Sequence, residues 1–173
     1  MPEKITIRER IERRLQALAA AMTDIVAAHR RDWIGPEDVK DLEAYIMTDG
    51  EDAEEDGMGT DADATTTYSF DAAIAVCIMP TVAEQTSDPL ATVYNRWLGR
   101  IKEAYTDDPD LTDDDASTQQ LSNAGGGVRI TGSNDPPTGD DAGCFFVIVL
   151  ITVPYTEYRN DPYAGPGVTA RTV

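Results

Sequence analysis

Basic residues are what this sequence has least of. Its 173 residues include 14 lysines and arginines against 32 acids, a formal net charge of −18, and only Lys4, Lys40 and Lys102 are lysines. With no basic stripe to contact phosphates, duplex nucleic acid is a poor ligand for it. His29 is the single histidine. It has no Cys or His companions, so an ordinary polar role is expected of it. Neither a Cys/His arrangement nor a nucleophile elbow is present, and the reading is that the chain is not an enzyme. The two cysteines, Cys77 and Cys144, lie in apolar runs without ligand spacing or a redox motif. They read as small core residues, and no metal or cofactor is expected. The longest apolar run falls far short of the ~20 residues of a membrane-crossing helix, and no signal-like apolar segment follows Lys4.

What the chain has in excess is short carboxylate. Aspartate outnumbers glutamate 21 to 11. Such a chain repels itself at low salt, whereas in molar salt the screening length falls to ~3 Å and the repulsion is largely lost. Dense aspartate with almost no lysine resembles the composition of proteins from extreme halophiles; the alternative is an ordinary acidic protein with mobile loops.

Hydrophobic periodicity supplies the elements. Ile11, Leu15, Leu18, Met22, Ile25 and Val26 fall on one helical stripe with alanines around it, predicting a helix over residues 5–31. Thr6 and Glu9 suit a capping box, Arg8/Glu12 and Glu9/Arg13 suit four-residue ion pairs, and Arg30 and Arg31 would close the last turn. Trp33 to Pro36 ends the helix. Residues 42–48 fit either strand or helix, with a slight preference for strand. Residues 65–79 alternate as a strand. Tyr68, Phe70, Ala72, Ile74, Val76 and Ile78 face a core, and a second face of small residues would admit a helix backbone. Asp88 as cap and Pro89 at the first position open a second helix, with Leu90, Val93, Tyr94, Trp97, Ile101 and Tyr105 as its stripe. Residues 128–131 make a short strand.

The longest apolar strand is residues 144–155. Cys144, Phe146, Ile148 and Leu150 face one way and Phe145, Val147, Val149, Ile151 and Val153 the other, so both faces call for cover. The expected fold is a single α+β domain over residues 1–163. Two helices pack across one antiparallel sheet of about four strands, in the order α-β-β-α-β-β. The expected core comprises Leu15, Leu18, Met22, Phe70, Ile74, Val76, Trp97, Ile101, Phe146, Ile148 and Leu150. Residues 49–63, with eight acids and no base, read as an exposed loop, as do residues 107–115, from which Leu111 would dock back. Residues 164–173 read as a flexible end.

No catalytic constellation appears. Asp113 and Asp115 sit in a loop with no pocket to shift them, Asp71 reads as an acid on the rim of a strand, and Gly125 to Gly127 lack the lysine of a phosphate loop. The acidic stretch at 49–63 does not follow calcium-loop spacing.

The order of these elements resembles the tail terminator proteins of long-tailed viruses. The likeness is carried by the arginine-rich first helix, the strand 65–79, the helix through Trp97, and the aspartate-rich turn at Asp107 to Leu111. It continues in the apolar terminal strand ending Pro154-Tyr155, followed by Tyr158 and Asp161-Pro162. It spans residues 5–163 as architecture. The acidic stretch 49–63 and the polar segments 112–127 and 132–143 depart from the pattern. The resemblance implies a structural virion protein forming a closed, sixfold homo-oligomeric ring. This ring caps the head-proximal end of the tail tube, ends tube polymerisation and joins the tail to the neck. The partners implied are further copies of itself, the tail tube protein and a head–tail connector or stopper protein, with genome DNA passing through the lumen unread and no membrane involved. Its place would be the virion neck, after assembly in the host cytoplasm, and the composition points to a virus of a salt-loving archaeon. On this reading one face of the long strand packs on the helices and the other serves an interface or second layer. The basic face of the first helix, with Arg10, Arg13 and Arg14, reads either as a solvated face balanced by nearby acids or, on this reading, as a face that would meet a neighbour's acids, either Asp52, Glu54 and Glu55 or Asp107 and Asp108. A head-completion or stopper protein is the alternative within the neck, and a monomeric acidic binding module the alternative outside it.

Overall fold

The computed structural model describes residues 4–31, 39–54, 64–81, 89–113, 119–138 and 143–172. In chain order the elements are β1 (Lys4–Ile5), α1 (Ile7–Ala21), β2 (Ala27–Arg30), β3 (Glu43–Glu54), β4 (Thr65–Ile78), α2 (Leu90–Thr106), β5 (Arg129–Ser133), β6 (Phe145–Tyr158) and β7 (Arg171–Thr172). The architecture is α+β, with two helices against one face of a five-stranded sheet ordered β2-β3-β4-β6-β5, and a separate ribbon of β1 and β7. The expected sheet of about four antiparallel strands is corrected to five. β2 runs parallel to β3, and every other pairing in the sheet is antiparallel.

The extra strand comes out of the expected first helix. Thr6 caps that helix as predicted, its Oγ1 accepting from the Glu9 N–H at 3.2 Å. The helix nevertheless stops at Ala21 rather than near Arg31. Asp24 adopts a left-handed φ of 73°, a conformation its short polar side chain tolerates better than most. The reversal sends Ala27–Arg30 alongside Glu43–Ile46. Arg30 therefore serves no helix terminus; it reaches back to Glu9 and Glu12 at 2.9 and 3.3 Å. At the second helix, Pro89 occupies the cap position itself, without a side-chain cap bond. The expected cap Asp88 lies outside the described residues.

Of residues 42–48, 43–48 resolve as strand, while Leu42 turns into it with a left-handed φ of 57°. β3 then runs on through the first half of the acidic stretch that the composition assigned to a loop. A register shift between Thr48 and Glu51 absorbs Asp49 and Gly50 as a bulge. Beyond it Glu51 has partners supplied by distant elements, the Arg8 guanidinium at 3.0 Å and the Tyr155 hydroxyl at 2.6 Å. Residues 55–63 lie outside the described residues.

The core lies between the helices and the near face of the sheet. Ile7, Ile11 and Leu15 of α1 and Val93, Tyr94, Trp97 and Ile101 of α2 meet Phe70, Ile74 and Val76 of β4 and Val147, Val149 and Ile151 of β6, all buried. Met22 is buried with them and Leu18 packs on the edge. Leu111 is fully buried, so the aspartate-rich turn docks as expected. Three expected core positions are corrected. Phe146 and Ile148 sit in a small second cluster with Tyr45, Ala75 and Cys77 on the far face, and Leu150 is 43% exposed. The strand period assigned these three to one face correctly, but the helices cover the other.

The expected flexible end is also corrected. Residues 164–172 fold back over the domain: β7 pairs with β1, and Val168 is buried. The close approach requires glycine at 165, where a Cβ would collide with the Thr156 carbonyl oxygen.

Candidate functional site

Two surfaces of this chain could carry a function through contact: the arginine face of α1 and the far face of the sheet, against which no helix packs among the described residues. Their physical states differ sharply.

The arginines of α1 are engaged within their own chain. Arg10 is buried, donating through Nη2 to Asp113 at 2.6 Å and to Gln119 at 2.7 Å, and through Nη1 to the Thr169 carbonyl at 2.8 Å. Arg171 reaches the other oxygen of Asp113 at 3.2 Å. Arg14 pairs with Asp108 at 2.8 Å, and both are largely covered. Arg13 remains on the surface, held to Glu9 at 2.8 Å. Glu9 also accepts from Arg30, and that bond, despite burial and joined by Arg13, holds the Glu9 carboxyl below its ordinary value of 4.5. Arg8 completes the face, bonded to Glu12 at 2.9 Å and stacked over the Phe70 ring at 4.4 Å.

Among the acids expected to face a neighbour, Asp108 is thus taken by Arg14. Asp107 caps the end of α2 and is exposed, and Asp52 is exposed on β3. Glu54 ends β3, and Glu55 lies outside the described residues. The fold joins the arginine face to acceptors of its own chain: Asp113, Gln119 and the Thr169 carbonyl for Arg10, and Asp108 for Arg14. Sequence reasoning missed these partners because each lies far away along the chain. Arg10 and Arg14 therefore act inside the domain, and only Arg13 presents its guanidinium outward.

The far face of the sheet has the opposite character. Cross-strand register places Tyr45, Ala75 and Ile148 in one row and Met47, Ala73 and Leu150 in the next, with Cys77 opposite Phe146. The central strand β4 contributes only small side chains here, while β3 and β6 contribute large ones on either side. The result is a trough along β4 with an alanine floor and apolar walls. A cavity of about 570 Å³ opens there, lined by Val39, Met47, Ala75, Met79, Cys144, Phe146 and Ile148. The helix backbone expected against these small residues is not among the described residues. The alternation of residues 73–79 and 144–150 carried the signal for an apolar second face. Its trough shape needed the register.

Polar groups are confined to the margins of this face. The Tyr45 hydroxyl donates to Glu43 at 2.9 Å and accepts from the Lys40 N–H at 3.2 Å, while His29 stacks on the Tyr45 ring and meets Glu43 at 3.2 Å. Burial pushes the Tyr45 phenol up to about 12, with Glu43 adding to the effect and the Lys40 N–H opposing it. Burial disfavours the Glu43 carboxylate, but the Tyr45 hydroxyl, Lys40 and His29 outweigh it and hold Glu43 below 4.5. Asp71 is exposed at the other end and accepts from the Thr152 hydroxyl at 2.6 Å. Cys77 is buried as expected, whereas Cys144 is exposed, a correction to its reading as a core residue.

Among the described residues, no three His, Cys, Asp or Glu side chains converge as a metal site, and no helix is long and apolar enough to cross a membrane. Compared with known proteins, the chain matches no family model, and no curated protein matches it.

Proposed function

We propose that this chain is a structural virion protein that works by contact through the bare face of its sheet, as a ring subunit at the head-proximal end of a viral tail tube. In this role it ends tube polymerisation and joins the tail to the neck. The observation that carries the reading is the apolar trough of Met47, Ala75, Met79, Phe146 and Ile148 on a chain of net charge −18. An apolar trough on so acidic a protein reads as a contact site. In molar salt, where charge attraction is screened, apolar burial is the interaction that persists.

A closed ring needs two different complementary patches on each subunit, because a self-complementary patch stops at a dimer. The trough supplies one. The other exposed large apolar side chain among the described residues is Val26, 73% exposed, just before the edge strand β2. It belongs to the second patch. Six such contacts would close around a lumen whose acidic walls let DNA slide without sticking. The arginines of α1 set the internal geometry of each subunit instead of bridging subunits.

Electron imaging in molar salt of the protein alone, and mixed with tail tube protein, tests this reading. Rings, or caps at one end of short tubes, are expected. Ile148→Asp should abolish both while the domain stays folded by circular dichroism. Monomers that never engage tubes, or rings untouched by Ile148→Asp, would refute it.

A further inference from the structure

At one end of the trough the two cysteines come together. Cys77 is opposite Phe146 in the β4–β6 ladder, which makes Cys144, two residues earlier, its diagonal neighbour on the same face. Their sulfurs stand 3.4 Å apart, and both thiols are free. We infer that Cys77 and Cys144 form a dithiol site that a low-molecular-weight disulfide oxidises to a single intramolecular bond, stapling β4 to the start of β6.

The geometry requires little movement. The sulfurs are about 1.4 Å beyond the bonded distance of about 2.0 Å. Cys144 lies just outside the ladder, whose last pair is Ile78 with Phe145, and Gly143 before it has open space around it. A small shift of the backbone at Gly143 and Cys144, outside the ladder, together with side-chain rotation, can therefore close the gap without disturbing the strand pairing.

The division of labour follows from exposure. Cys144 is exposed and meets the reagent first, whereas Cys77 is fully buried. The Cys144 thiol gives its proton to solvent, and its sulfur attacks one sulfur of the reagent. The reagent's S–S bond breaks, one half leaves as a thiolate and takes up a proton, and the other half stays bonded to Cys144. Cys77 then loses its proton, and its sulfur attacks the Cys144 sulfur and expels the second half of the reagent. Two protein thiols are oxidised, and one reagent disulfide is reduced to two thiols. Burial, the adjacent Cys144 and the carboxylates of Asp41 and Glu43 push the Cys77 thiol up, which opposes its ionisation, while its position 3.4 Å from the Cys144 sulfur makes the second step intramolecular. This inference does not depend on the role in a virion.

The test uses the full chain in molar salt with cystamine, a cationic disulfide suited to an acidic protein. The expected result is loss of both titratable thiols, a mass lower by two hydrogens, and a proteolytic peptide pair linking Cys77 to Cys144. The Cys77→Ala variant should stop at one stable cysteamine adduct on Cys144. A wild-type chain that keeps that adduct with Cys77 free, that fails to react, or that links Cys144 to Cys144 of a second chain would overturn the inference.

Discussion

Along β6, side chains one residue apart meet opposite fates. Val147, Val149 and Ile151 are fully buried beneath the helices, while Phe146 and Ile148 are half-covered and Leu150 is exposed. The two sets are almost equally apolar, so hydrophobicity does not say which of them the domain itself covers. The covered side owes its closure to α1 and α2, and to the buried Arg10–Asp113 pair that ties α1 to the aspartate-rich turn. The bare side has no such layer among the described residues. One side holds the domain together, and the other is the side on which the proposed function rests.

Three measurements would break or sharpen that contrast. The largest effect belongs to the covered side. Arg10→Ala leaves Asp113 buried with Arg171 as its one remaining ionic partner among the described residues, and should cost about 3–5 kcal/mol in urea denaturation at molar salt. A loss below about 1 kcal/mol, the range of exposed pairs, would show that the pair is not sealed from solvent. Next comes a matched truncation. Ile74→Ala beneath the helices should cost about 2–5 kcal/mol, and Ile148→Ala on the bare face of the isolated subunit less than about 1.5 kcal/mol. Equal losses would mean that both faces are covered in the isolated subunit.

The smallest effect is electrostatic and concerns two glutamates shifted in opposite directions. Glu157 is raised by burial and by the nearby Glu51 and Asp161 carboxylates, so its charged form weakens the fold. Acidification from neutral pH should relieve that cost as the pH falls through its raised value. Glu9 has its value lowered, chiefly by Arg30. Its contribution is complete above 4.5 and is lost as the pH falls through its lowered value. Stability at low salt should therefore rise slightly and then fall on acidification. Glu157→Gln should lessen the rise and leave the fall unchanged, and a profile unchanged by that substitution would count against the carboxylate cluster.

The sequence made the α+β class, the second helix and the long strands legible, because each carries a clean period. β4 and β6 emerged within a few residues of their observed ends. It failed where a local period ran past a turn. Ile25 and Val26 continue the α1 stripe, yet the Asp24 reversal removes them from the helix. It also failed where the partner lies far along the chain. Nothing near Glu51 announces Arg8 or Tyr155, and nothing near Arg10 announces Asp113. The uncovered face was half-legible: its residues were identified, but which of the two faces the helices would take depended on packing that no local pattern records.

The β1–β7 ribbon bears on how the chain reaches this state. Ile5 pairs with Arg171, so nearly the whole described chain lies between two adjacent partners. Closing so long a loop yields only two paired residues on each side, and its entropy must be met before the contacts form. The ribbon is therefore the last structure to assemble and the first to open, while the β4–β6 pairing at the centre of the sheet persists longest. Amide exchange should follow that gradient, with Lys4, Ile5 and Arg171 exchanging well before Ile74 and Val149.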